Sequence, residues 1–358
     1  MGSRFAFSKA AALAAAFLLS PACADEPQAP QDHAAPAPVT REPWVMATAS
    51  VTDLDRTARF FLEIGGYREI GRGPLDPAEI AAYALPDGAS GEALLLAPGE
   101  SDLGLVRLIR FEDAGERLPM RPGARAWDTG CYWAVMVRAH DLDTRYREAV
   151  ELGWWTETPV ADLVFGQSVL KVVVFRGPDG LQVQAYERLS PPLPEAFTPF
   201  ERLSRPFNMM QMTRDREAAR AFIKGVLGFS PFWYGPPHTD SQPTLMPLGI
   251  PRNLTTEIPY LAGIFQPAPG EYGRLEVIEI DGLEGADYAG RCDAPNLGWL
   301  SVTYPVESAA AAIDELSARG AALAIAPYDT ARAGIGEARI FAVRSPDGAL
   351  VEFAETLD

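Results

Sequence analysis

Val343 to Glu355 reads V-R-S-P-D-G-A-L-V-E-F-A-E, and Val174 to Glu187 reads V-F-R-G-P-D-G-L-Q-V-Q-A-Y-E. Each stretch spells a strand, a tight Pro-Asp-Gly turn and a second strand, with Pro presetting φ and Gly accepting φ > 0. A repeat spaced by half the chain predicts a duplicated domain, so one half can be compared with the other. The comparison falls on chemistry: where the later copy has Glu352, the earlier has Gln184.

Working outward from the hairpins, the periodicity resolves into four strand-helix-strand-strand-strand units. The first opens with a strand at Trp44–Val51 and a helix introduced by Asp53, in which Phe60, Phe61 and Ile64 recur at helical spacing. The second opens with Tyr132–Ala139, the third with N-M-M-Q-M-T after Phe207, and the fourth with Gly298–Val306. Consecutive units pair in this reading. A first domain then covers residues 44–189, a Pro-rich linker 190–203, and a second domain 204–358. The predicted class is α+β: four βαβββ units in two tandem domains, with helices on one face of mixed, curved sheets and a cleft on the other.

Strand alternation assigns side chains to the two faces. Ala47, Ala49 and Val51 suit the helix-covered face, leaving Met46, Thr48 and Ser50 for the cleft. By the same logic Asn208, Met210, Met212, Ser301, Thr303 and Glu352 enter the cleft of the second half.

The order and doubling of these units resemble the vicinal-oxygen-chelate superfamily, which includes glyoxalase I, bleomycin-resistance proteins, extradiol dioxygenases and methylmalonyl-CoA epimerase. The carriers are V-T-D-L-D-R-T-A-R-F-F in the first unit, A-R-A-F-I-K-G-V-L-G-F in the third, and both P-D-G hairpins. The resemblance implies a divalent metal held by four cleft ligands. The corresponding places hold Met46, Ala134 and Gln184, with one near Arg107, in the first half. In the second half they hold Asn208, Ser301 and Glu352, with Glu276 or Glu279. The first set suits no divalent ion, and the second suits Ca²⁺ or Mg²⁺ weakly and Fe or Zn poorly. No cofactor is therefore expected. The three histidines fall in a Pro-rich tether (His33), a turn (His140) and a loop (His238), not on cleft-facing strands.

Two functions follow. One is binding of a small organic molecule between aromatic, methionine, amide and hydroxyl side chains, with Trp233, Tyr234, Gln184, Asn208, Met210, Met212, Ser301 and Thr303 as lining residues. The other is lyase, isomerase or hydrolase chemistry with Glu352 as general acid–base, its pKa raised by an apolar cleft. Because Gln184 stands at the sister position, Glu352→Gln is expected to leave stability within about 1 kcal/mol.

The chain has 358 residues, 48 acidic against 31 basic side chains, and a formal charge of −17. No basic cluster is present to track phosphates, so nucleic acid is excluded as a partner. Residues 1–24 read as an export signal: Arg4 and Lys9, an apolar run, then Ala22-Cys23-Ala24. Simple cleavage is expected ahead of acylation of Cys23, because Pro21 fits a lipoprotein box poorly, and the expected compartment is a bacterial periplasm, with no membrane span. Residues 25–43 read as an extended Pro/Ala-rich tether. Cys131 and Cys292 either pair or remain free thiols. The two halves can form an internal pseudo-dimer in a monomer.

Overall fold

The computed structural model describes residues 35–358, apart from Glu100, Asp102, Ala124, Asp358 and the side chain of Phe165. The expected export signal and residues 25–34 of the expected tether lie outside the described residues. Sixteen strands appear in the described residues, four to a unit. The first unit contains β1 (Met46–Ser50), β2 (Tyr67–Pro74), β3 (Ser90–Pro98) and β4 (Leu105–Glu112). The second contains β5 (Tyr132–Arg138), β6 (Ala161–Phe165), β7 (Ser168–Arg176) and β8 (Gln182–Ser190). The third contains β9 (Asn208–Met212), β10 (Ser230–Tyr234), β11 (Tyr260–Gln266) and β12 (Arg274–Ile280). The fourth contains β13 (Gly298–Pro305), β14 (Leu323–Arg332), β15 (Gly336–Arg344) and β16 (Leu350–Thr356).

After its opening strand, each unit enters a helix capped in the same way. Asp53, Asp141, Asp215 and Ser308 accept hydrogen bonds from the backbone N–H three residues on, at 2.9, 3.3, 3.0 and 3.3 Å. These caps satisfy N–H groups that a helix start otherwise leaves unpaired. They open α1 (Leu54–Arg59), α3 (Leu142–Glu151), α4 (Arg216–Arg220) and α5 (Ala309–Ala318). Helices α1 and α4 run on as π-helical turns at Phe60–Ile64 and Ala221–Val226. One helix was not foreseen: α2 (Pro77–Ala82) lies in the β2–β3 connection, with Asp76 as its cap and Pro77 at its first position.

The units combine differently from the sequence expectation. One sheet has the order β14-β15-β16-β13-β1-β4-β3-β2, uniting the first and fourth units; the other, β10-β11-β12-β9-β5-β8-β7-β6, unites the second and third. Neither half of the chain closes a sheet by itself. The join is antiparallel pairing of opening strands: β1 on β13, with Thr48 opposite Ser301, and β5 on β9, with Met136 opposite Asn208. All four opening strands carry the same inward–outward alternation, so periodicity does not specify which one fills another's open edge.

The helix-covered faces of both sheets merge into one apolar core containing Trp44, Phe60, Phe61, Val135, Met209, Val302 and Phe353, all fully buried. Aromatic tips tie the sheets together across it. Trp299 Nε1 donates to the Gln182 carbonyl at 2.8 Å, Tyr132 OH to the Leu350 carbonyl at 3.0 Å, and Tyr304 OH to the Gly273 carbonyl at 2.9 Å. The end of the expected tether is also part of the fold: Val39 N–H donates to the Leu227 carbonyl at 3.0 Å, and Val39 packs on this core. Gly228, at φ 76°, admits that strap, because a Cβ there would stand 2.3 Å from the Ala37 carbonyl oxygen.

Cys131 and Cys292 form a disulfide with Cα atoms 5.1 Å apart. It links the entry to β5 with the segment before β13, and so joins the two sheets. It closes a chain separation of 161 residues, which restricts the unfolded ensemble strongly. Cys292→Ser, or reduction of the wild type, is expected to lower unfolding stability by roughly 3 kcal/mol. Urea melts with and without reductant check this: the variant should be insensitive to reductant, and the wild type should fall to its level.

Candidate functional site

Each sheet curls round a cleft, and the two clefts differ in what fills them. In the cleft of the first sheet, α2 lies over the strands and lowers Glu79 toward Arg107 of β4. Arg107 Nη1 and Nη2 donate to the two Glu79 carboxylate oxygens at 2.6 and 2.7 Å. Arg332, at the end of β14, bridges Glu79 (Nη2 to Oε1, 2.8 Å) and Glu352 (Nη1 to Oε2, 2.7 Å). Thr303 Oγ1 donates to Glu352 Oε2 at 2.7 Å, and Tyr83 OH donates to Glu352 Oε1 at 3.4 Å. All four charged side chains are at most 3% exposed. Their charges cancel, and the fork of each guanidinium matches a carboxylate.

Burial pushes the Glu79 carboxyl up, but the charges of Arg107 and Arg332 outweigh it and hold the group down at about 2. This cleft is therefore an organic ion-pair cluster. The guanidinium of Arg332 stands between the two carboxylates, as a cation would, and the donor set does not fit a metal ion.

In the cleft of the second sheet the wall is apolar: Ala134, Met136, Val174, Met210, Met212 and Ile278 belong to one buried cluster. The β10–β11 connection covers it with Met246, Leu248 and Ile250. Polar side chains enter this wall, Asn208, Glu276 and Gln184 among them, with Arg138, Gln182 and Arg274 on the same strand faces. Asn208 of β9 donates from Nδ2 to Glu276 Oε2 of β12 at 2.8 Å and toward the Met136 sulfur at 3.6 Å. Gln184 of β8 stands in register with Met136. Exposures are 2% for Asn208 and 7% each for Glu276 and Gln184, yet Asn208 Oδ1 and Gln184 Oε1 have no hydrogen-bond partner. Burial pushes the Glu276 carboxyl up to about 7, against smaller opposing effects of Asn208 and Arg274. One carboxylate, two amides and a thioether, with Ala134 in place of an imidazole, do not fit the metal that the fold family implies. Among the described residues no three His, Cys, Asp or Glu side chains gather as a metal set.

The expected site residues thus divide. Ser301, Thr303 and Glu352 share the first cleft with Met46, Thr48 and Arg107, whereas Asn208, Met210, Met212, Gln184 and Trp233 share the second. The expectation that Glu352 faces Asn208 and the methionines is corrected, because those residues lie on different sheets. Tyr234 is corrected too: its ring packs under the Arg216 guanidinium at 4.0 Å and its OH bonds Glu217, on the helix-covered face. Of the two candidate glutamates on β12, Glu276 enters the cleft, and Glu279 accepts from Arg216 N–H at 2.8 Å outside it. His140 stacks on Phe200 and His238 packs against Tyr260, with ring centroids 4.4 and 5.2 Å apart.

Sequence reading missed Glu79 and Arg332. Asp76-x-x-Glu79 has capping-box spacing, which gives that glutamate a local explanation and hides its long-range partner. The expected tolerance of Glu352→Gln is corrected for the same reason: Gln184 faces no arginine, whereas Glu352 neutralises one.

Comparison with solved structures supports a vicinal-oxygen-chelate fold. Glyoxalase I from Zea mays superposes with a TM-score of 0.57 at 16% identity, over 88% of this chain and 92% of that one. A variant of that protein gives 0.58 at 15% identity over the same shares. A Bacillus subtilis protein named as a candidate dioxygenase gives 0.52 at 10% identity, over 89% and 86%. No family model and no curated protein matches the sequence.

Two predictions separate the clefts. Glu352→Gln leaves Arg332 buried with one carboxylate fewer, and is expected to cost about 3 kcal/mol in a urea melt. The second concerns pH. Glu276 is raised above its ordinary 4.5, so the folded state holds its proton longer than the unfolded chain, and stability falls as pH rises from 4.5 to about 7. Glu79 is lowered, so its contribution is present above 4.5 and is lost as pH falls toward 2. Glu276→Gln should abolish the fall above pH 4.5, gain roughly 3 kcal/mol at pH 8, and keep the acid limb. Melts from pH 3 to 8 measure both.

Proposed function

We propose that this protein binds a small organic molecule in the cleft of the second sheet, between β8, β5, β9 and β12, without the fold family's histidine-ligated metal. One observation carries the reading: Asn208 Oδ1, next to Glu276, and Gln184 Oε1, across β5, are buried without partners in a wall rich in methionine and aliphatic side chains. Unpaired buried acceptors cost about 1–3 kcal/mol each, and a ligand's donors offset that cost. The first cleft also holds partnerless buried atoms, Thr48 Oγ1, Ser301 Oγ and the Nε of Arg107 and Arg332, but Arg107 and Arg332 engage both of its glutamates, so no carboxylate there lacks a cation. Export to an oxidising compartment belongs to the same reading, supported by the N-terminal pattern and by the Cys131–Cys292 disulfide. Among the described residues no helix is long and apolar enough to cross a membrane.

A second reading, turnover, draws on Glu276 rather than Glu352. A carboxyl held near 7 in a dry cleft suits proton transfer at neutral pH, and Glu352 lacks that freedom because Arg332, Thr303 and Tyr83 hold its oxygens.

Gln184→Leu tests the binding reading. Removing an amide whose buried Oε1 has no partner should leave the unliganded protein as stable as wild type, or more stable by up to about 1 kcal/mol. The same change should weaken fragments that perturb the Met136 and Met210 methyl NMR signals at least tenfold. If no member of a fragment library perturbs those methyls, or if Gln184→Leu leaves every such binder unaffected, the reading fails.

A further inference from the structure

We propose that the ligand of the second cleft carries a protonated amine, whose N–H groups meet Glu276, Asn208 Oδ1 and Gln184 Oε1. This rests on the preceding reading that the cleft binds a small organic molecule, and it adds the chemical class. The open atoms of the Asn208 and Gln184 side chains are acceptors, while the partnerless buried donors of the same cleft, Trp133 Nε1 and Arg138 Nε, sit on β5. Asn208 already directs its amide hydrogens to Glu276 and to the Met136 sulfur, so the atom it leaves open is Oδ1. Gln184 leaves Oε1 open. Glu276 and Asn208 stand on the neighbouring strands β12 and β9, and Gln184 stands on β8, across β5 from Asn208; a carboxylate and two amide oxygens match an ammonium, which has three donors and no acceptor.

Charge agrees with this count. Asp240, in the segment that covers the cleft, has its Oδ1 3.6 Å from His238 Nε2 and a buried Oδ2 without a partner. Its backbone N–H is tied to the Thr255 carbonyl at 2.9 Å, next to the His238–Tyr260 bridge. A second carboxylate therefore marks the covering segment, and the chain's charge of −17 draws cations toward it.

The cations nearest Glu276 are already engaged. Arg274 donates to the Glu271 carbonyl at 3.2 Å, to Gln266 Oε1 at 3.3 Å and to the Gly270 carbonyl, with Phe232 across its plane. Arg138 pairs with Glu271 at 3.2 Å and lies between the Phe197 and Phe207 rings. Tyr186 and Tyr260, the other titratable groups facing Glu276, are held in their neutral form by burial. An anionic ligand would be buried against Glu276 with no free cation to meet it, and a neutral one would leave that carboxylate unpaired. Met136, Met210 and Trp233 supply the soft, apolar surroundings that the ligand's carbon frame needs. Entry requires the segment bearing Met246, Leu248 and Ile250 to move aside.

The test uses the full chain at pH 8, where benzylamine and n-butylamine are protonated. Benzyl alcohol, n-butanol, benzoate and butyrate serve as neutral and anionic matches in size, and Ca²⁺ serves as an inorganic cation. Titrations are followed by methyl NMR at Met136 and Met210 and by thermal shift. The amines should bind at least tenfold tighter than the matching alcohols. Glu276→Gln, which keeps the hydrogen bond from Asn208, should lower amine affinity at least tenfold while leaving a folded NMR spectrum. Equal binding of alcohols, or amine binding unchanged in Glu276→Gln, overturns the amine and leaves the cleft reading standing. A response to Ca²⁺ that depends on Glu276, with none to the amines, also overturns it. If no organic probe reaches the two methionine methyls, the amine class and the cleft reading fall together.

Discussion

Antiparallel pairing of opening strands is the interaction on which the remaining architecture depends. β1 against β13 and β5 against β9 turn four incomplete units into two eight-stranded sheets, and those two registers decide which side chains share a cleft. Met136 opposite Asn208 places a residue of the second unit beside one of the third. Thr48 opposite Ser301 does the same for the first and fourth. Since each sheet draws one unit from each half, neither half can bury its strand edges alone. The shared core beneath both sheets and the Cys131–Cys292 link then make the two sheets one cooperative body.

The clefts show two outcomes of one geometry. In each, a carboxylate stands on a cleft-facing strand: Glu352 in the first and Glu276 in the second. Around Glu352 the protein supplies its own cations and a covering helix, so the charge is neutralised internally and the space is filled. Around Glu276 it supplies methionines and aliphatic side chains, so desolvation raises the carboxyl toward neutrality and leaves two amide oxygens unpaired. An interior closed by ion pairs opens at the cost of separating buried charges, whereas one closed by apolar contact opens at the lower cost of hydrating methyl groups. The proposal of a ligand in the second cleft rests on that contrast.

The likeness to glyoxalase I concerns the path of the chain and not the chemistry of its site. At 16% identity the strands superpose, while the cleft positions carry alanine, methionine, arginine and amides in this chain. A shared sheet therefore coexists with a donor set that the family's usual metal does not fit.

The sequence by itself determined the local grammar. The two Pro-Asp-Gly hairpins, the caps at Asp53, Asp141, Asp215 and Ser308, and the alternation along the opening strands are short-range features, so they were legible as the repeated unit, the fold class and the cleft-facing parity of Asn208 and Glu352. Only the tertiary structure decided which units pair, because four edges of similar pattern are interchangeable to any argument from periodicity. From that choice came the separation of Glu352 from Asn208, the meeting of Glu79 with Arg332 across 253 residues, and the isolation of Glu276 in an apolar wall. Charge neutralisation and desolvation depend on what stands opposite in space, and no neighbour in the sequence carries that information.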